Sequence, residues 1–169
     1  MNWYETIAFF THCLPKAVAR PLNALPDGSL REIRVRAGQF IRLSTRQGET
    51  ICPCEPTPQQ VAQMAEALCE HALYARAEEQ RSGFVTLRGG HRMGLCGRVI
   101  CQGQSIRALR DISSFCIRIA GQWRGAADGL IGQLTDENGR CRSALIVGLP
   151  GMGKTTLLRD SLRLSLIHI

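Results

Sequence analysis

One stretch limits this chain more than any other: SALIVGLPGMGKTTLLRD, residues 143–160. An apolar run, a glycine-rich turn and a run of helical composition follow one another without a gap. Within it Gly148, Leu149, Pro150, Gly151, Met152, Gly153, Lys154 and Thr155 fit the P-loop (Walker A) pattern at every fixed position. Each residue type answers a physical need. Glycines reach backbone conformations closed to other residues, so successive N–H groups can turn toward one phosphate. A helix that starts at the phosphate adds its free N–H groups and its dipole. Lys154 brings a point charge to the β and γ phosphates, Thr155 a hydroxyl to Mg2+, and Thr156 a contact to the α phosphate. The expectation is a buried strand over 143–147, a phosphate-binding loop, and a helix from Lys154 onward, with ATP and Mg2+ as ligands.

A phosphate loop does not hydrolyse ATP by itself. Mg2+ also needs a carboxylate at the end of a later strand, and the attacking water needs a residue to position it. Beyond Thr155 the sequence offers only Thr156 to Ile169. An ATPase domain that starts here is therefore expected to be truncated. The last six residues, LSLIHI at 164–169, back-translate readily into a transposon end used in sequencing libraries. They read as an adapter-derived tail, with the native sequence ending at Arg163.

Charge sets the next limit. The formal net charge is +7, and Lys16 and Lys154 are the only lysines, so the positive charge is almost all arginine. A basic balance invites a nucleic-acid reading. The arginines are spread along the chain, alternating with apolar residues in REIRVRAGQFIRLSTR, which fits solvated strand faces. Aromatics make up 5%, too few for a stacking platform. No nucleic acid is expected as a partner. The N-terminus lacks the basic start and small-residue cleavage site of a signal peptide, and no apolar run is long enough to span a bilayer. A soluble cytoplasmic protein is the expectation. The cysteines at 13, 52, 54, 69, 96, 101, 116 and 141 mostly sit in apolar patterns and read as reduced, structural residues. Cys52-Pro-Cys54 lacks the usual spacing of a zinc or redox pair, and the histidines at 12, 71, 91 and 168 are not placed to complete a zinc site.

Ahead of the loop, the periodicities predict an α+β unit over residues 30–120, preceded by a helical start. Trp3, Ile7, Phe10 and Leu14 fall at helical spacing, with breaks near Pro15 and Pro21. SLREIRVRAG and FIRLST alternate in polarity and read as a hairpin turning at Gly38; Ile33 and Val35 face one way, Arg34 and Arg36 the other. Residues 57–83 read as one helical region. Thr57 is its N-cap, Pro58 its first residue and Gln60 the capping-box partner. Val61, Met64, Ala65 and Leu68 form its apolar face, and Gly83 ends it. Strands resume at 83–100 across a tight Gly89-Gly90 connection, with His91, Met93, Leu95 and Val99 on one face and Arg92, Gly94, Cys96 and Arg98 on the other. Two further short strands are expected in SIRALRDISSFCIRIA. A helix between glycine turns is expected in GQWRGAADGLIGQLTDENGR.

Several of these stretches together resemble one family. REIRVRAGQ, YARAEEQRSGFVTLRGGHRMGLCGRV, IRALRDISSFCIRIA and GLPGMGKTTLLRDSLR are similar to the stage III sporulation protein AA family, ATPases of spore-forming bacteria related to secretion and pilus-motor ATPases. The resemblance covers about residues 30 to 163. It implies an α/β protein: an N-terminal α+β domain of antiparallel strands with helices (1–120), a helical linker (121–140), and the truncated start of a RecA/AAA-like P-loop ATPase domain (141–163). It implies a homo-hexameric motor on the mother-cell side of the membrane, docked on membrane-embedded sporulation channel proteins. It also implies basic residues of the first domain that reach the nucleotide phosphates, for which Arg92, Arg98 and Arg118 are the candidates. A reading of a different class stands beside it: a non-catalytic assembly or docking module that carries a vestigial nucleotide site.

Overall fold

The computed structural model describes residues 1–73, 77–103, 105–121, 125–136, 140 and 142–167. They form two compact units, Met1–Ala120 and Gly121–Ile169.

The first unit is built on a six-stranded antiparallel sheet: β1 (Leu30–Arg36), β2 (Ile41–Thr45), β3 (Glu49–Cys52), β4 (Phe84–Thr86), β5 (Arg92–Gln102) and β6 (Ser105–Arg118), in the order β3-β2-β1-β6-β5-β4. The β1–β2 hairpin forms as the alternation predicts, with Ile33 opposite Leu43 and Arg34 opposite Arg42. Side-chain alternation then sorts the two faces. Ile33, Val35, Leu43, Met93, Leu95, Phe115 and Ile117 are buried on one face, while Arg34, Arg36, Arg42, Arg92 and Arg118 line the other and are exposed.

Helices complete the buried layer. In α1 (Trp3–Cys13), Asn2 and Glu5 form a capping box, and Ile7 and Phe10 point inward. Pro15 starts α2 (Lys16–Asn23), which buries Val18 and Leu22; Pro21 lies inside this helix rather than ending it. In α3 (Pro58–Leu68) the Thr57–Gln60 capping box and the inward face of Val61, Met64, Ala65 and Leu68 are as predicted. These residues share one continuous core with the sheet.

Two expectations fail here for local reasons. The single helical region over 57–83 is two helices. Glu70 (φ 53°) and His71 (φ 59°) take left-handed conformations that stop α3, and α4 covers only Ala77–Arg81. Tyr74, Ala75 and Arg76, part of the family-like stretch, lie outside the described residues. The two short strands expected after residue 104 are one strand, β6, bent at Asp111 (φ 47°). Opposite that bend β5 is irregular between Cys96 and Arg98, where only Gly97 faces the residues between Arg110 and Ser114. The register shifts by two residues there, so the alternation carries through: Val99 pairs with the buried Leu109, although Val99 itself is 48% exposed.

The second unit holds α5 (Ile131–Leu134) and α6 (Lys154–Ile167). The linker helix predicted over 121–140 is reduced to the single turn of α5 among the described residues; 122–124 and 137–139 lie outside them. The strand predicted over 143–147 is not formed. Leu145 is 88% and Val147 82% exposed, and among the described residues no strand lies beside them. A strand needs a neighbour to exchange backbone hydrogen bonds with, so apolar composition alone does not make one. Residues 164–167 of the expected tail continue α6, and His168 and Ile169 lie outside the described residues.

Candidate functional site

The glycine-rich loop closes on itself through short-range contacts. Met152 N–H donates to Leu149 O at 3.3 Å, and Leu149 N–H meets the Met152 thioether sulfur at 3.3 Å. Gly151 (φ 83°) and Gly153 (φ 81°) are left-handed. A Cβ at either would meet nothing within 4 Å, so these positions need glycine for conformation and not for space. Helix α6 starts at Lys154, and its first full-turn bond runs from Leu157 N–H to Gly153 O at 2.9 Å. The free amides of its first turn thus open at the loop. Lys154 folds back over the loop, and its Nζ donates to Gly148 O and Leu149 O, both at 2.7 Å. Both acceptors are neutral carbonyls, and an anionic oxygen makes the stronger, charge-assisted bond to an ammonium. Thr155 is exposed and Thr156 half-buried in the first turn of α6. Left-handed glycines, an open helix start and a lysine over the loop together fit a phosphate-bearing ligand. The Thr155 hydroxyl would hold its Mg2+.

Sequence reasoning passed over Asp160, two turns further along α6. Its carboxylate is 5% exposed. It accepts from Ala127 N–H at 3.0 Å and from Arg163 Nε at 2.8 Å, and these donors hold its pKa below the usual carboxylate range, Ala127 first. The available signal was a carboxylate on the inward side of a helix with an arginine three residues on, a pattern also common on solvated helices.

The three arginines expected to serve the phosphates separate into two sets. Arg92 and Arg118 are cross-strand partners on β5 and β6, on the exposed face. The Arg92 guanidinium lies 4.0 Å from the centre of the Phe84 ring. Arg98 lies past the Gly97 irregularity and pairs with Asp111 at 2.8 Å. The sheet therefore brings Arg92 and Arg118 together and leaves Arg98 apart.

His91, placed by its spacing on the buried face of β5, is 3% exposed and packs against the Phe10 ring with centroids 5.3 Å apart. Ala120 N–H donates to its Nδ1 at 3.0 Å, which leaves the ring proton on Nε2. Burial, with the N-terminal ammonium adding to it, lowers its pKa to about 4. The described cysteines are all free thiols, and burial pushes Cys13, Cys52 and Cys116 up; Cys141 lies outside the described residues. Among the described residues no group of three His, Cys, Asp or Glu side chains is placed to hold a metal ion.

Comparison with known proteins agrees with the family-like stretches. The sequence model of the family described as sporulation stage III, protein AA, matches residues 14–166. The stage III sporulation protein AA of Bacillus subtilis (strain 168) is 37% identical over 155 residues, 90% of this chain and 50% of that protein. The chain thus spans about half the length of the curated relative it matches. Among solved structures, the ATPase DotB of Legionella pneumophila is similar with a TM-score of 0.43 at 12% identity, over 93% of this chain and 41% of DotB. The VirB11 ATPase of the Brucella suis type IV secretion system, solved with sulphate, gives 0.41 at 14% identity, over 96% of this chain and 43% of VirB11.

Proposed function

The chain belongs to the sporulation stage III protein AA family, and from that premise we propose that it is the nucleotide-binding portion of a sporulation motor ATPase. Residues 148–156 receive the phosphates of ATP. The Lys154 ammonium leaves the carbonyls of Gly148 and Leu149 for the β and γ phosphates, the amides of the loop and of the first turn of α6 surround them, and Thr155 ligates Mg2+. The observation that carries this reading is the conjunction of left-handed Gly151 and Gly153 with a helix that opens at Lys154. In the whole protein, ATP hydrolysis drives assembly or transport at a channel between mother cell and forespore. Six copies form a ring on the mother-cell side, attached through membrane-embedded partners. No described helix is long and apolar enough to cross a membrane. Arg92 and Arg118, adjacent on one exposed face, are the stronger pair for reaching nucleotide; Arg98 is engaged by Asp111.

Titration with a fluorescent ATP analogue and Mg2+ tests the site directly. The wild-type chain is expected to bind saturably, and Lys154→Ala to bind at least about tenfold more weakly, the loss of a charge-assisted contact. Wild-type protein that binds no nucleotide, or Lys154→Ala with unchanged affinity, refutes the assignment and leaves the docking-module reading.

A further inference from the structure

The segment from Gly125 to Thr135 is bonded to both arms of the phosphate loop. On the entry arm, Arg142 N–H donates to Leu134 O at 2.8 Å. On the exit arm, Ala127 N–H donates to Asp160 Oδ2 at 3.0 Å. Between these ends the segment is stiffened by its own bonds: Ile131 N–H to Ala127 O at 3.0 Å, Leu134 N–H to Leu130 O at 3.1 Å, and Thr135 Oγ1 to Ile131 O at 3.0 Å. Ala127 is fully buried. A carboxylate taken out of water is tolerated only with charge-assisted or multiple donors around it, and Asp160 has them in Ala127 and Arg163.

We propose that Asp160 is a positioning residue for the phosphate loop. Through Ala127 it fixes α6 to the 125–135 segment, and through Leu134 that segment fixes the arm that enters the loop. The two arms are thereby held at a set spacing, and the loop amides and Lys154 are presented to phosphate with little left to order on binding. Asp160 touches no ligand in this scheme; it acts through the backbone on either side. The proposal rests on the loop being a nucleotide site, and the experiment separates the two.

The test is amide hydrogen exchange and titration with the fluorescent ATP analogue, on the full chain and on Asp160→Ala, Asp160→Asn and Arg163→Ala. Asp160→Ala is expected to lose the protection of the Ala127 amide, to speed exchange at Gly151–Thr155 in nucleotide-free protein, and to weaken nucleotide binding about tenfold. Asp160→Asn keeps an oxygen for the Ala127 N–H, and Arg163→Ala keeps the whole carboxylate; both are expected to stay within about threefold of wild type. In the wild type, saturating nucleotide is expected to slow exchange at Ala127, a readout that needs no variant to fold. Loop exchange and affinity unchanged in Asp160→Ala while Ala127 is deprotected would overturn the proposal, as would an Ala127 amide indifferent to bound nucleotide. A wild type that binds no nucleotide refutes the nucleotide reading instead, and loop exchange in Asp160→Ala then decides whether the clamp exists.

Discussion

Lowering the pH should weaken the first unit through one side chain, His91. The ring is buried, and its Nδ1 already accepts from Ala120 N–H, so a proton has to add at the nitrogen that makes this bond. Burial lowers its pKa to about 4, against 6.5 for an unperturbed histidine. The unfolded chain therefore takes up this proton below pH 6.5, while the folded chain resists until about pH 4. Stability contributed by the neutral ring is complete above the unfolded value and is lost as pH falls through the window toward the folded one. Integrated from pH 7 to pH 4.5, the loss is about 2–3 kcal/mol. Carboxylates titrate over part of the same range, so the measurement is a difference. Urea unfolding of wild type and His91→Gln is followed by circular dichroism at both pH values. Glutamine offers an oxygen to Ala120 N–H and cannot take up the proton. The wild type is expected to lose about 2–3 kcal/mol more than the variant over the interval. Parallel pH profiles, or a His91 ring that titrates near 6.5 by NMR in the folded chain, would refute the reasoning.

Two further expectations concern the sheet unit. At Gly97 an added Cβ would lie 2.5 Å from Arg110 O, whereas at Gly94 its nearest neighbours are 3.9 Å away. Gly97→Ala should therefore cost about 1–3 kcal/mol in urea unfolding and Gly94→Ala much less; equal effects would mean that the β5–β6 irregularity is not fixed by close approach at Gly97. Thr57→Ala removes the side-chain acceptor of Gln60 N–H and should lower stability by about 1 kcal/mol in thermal unfolding, with no change in nucleotide affinity.

Features carried by residues close together in the chain are legible from residue order alone. The Thr57–Gln60 box, the inward face of α3, the alternation of β1 and β2, and the helix beginning at Lys154 all follow from spacing. The glycine-rich loop needs Gly151 and Gly153 for φ, a property each residue carries with it. Where local pattern misled, a distant partner decided the outcome. SIRALRDISSFCIRIA has the look of two strands, but pairing with β5 makes it one, with left-handed Asp111 opposite Gly97. The apolar run 143–147 has the composition of a buried strand and no neighbour among the described residues to make it one.

The sequence by itself determined the family, the glycine pattern of the loop and the periodicity of α3, β1 and β2, because these depend on residue type and local spacing. Only the tertiary structure decided which arginines are neighbours, where His91 sends its ring nitrogen, and that Asp160 binds the backbone at Ala127. Strand register and long-range hydrogen bonds join residues dozens of positions apart, and no local pattern encodes which of them will meet.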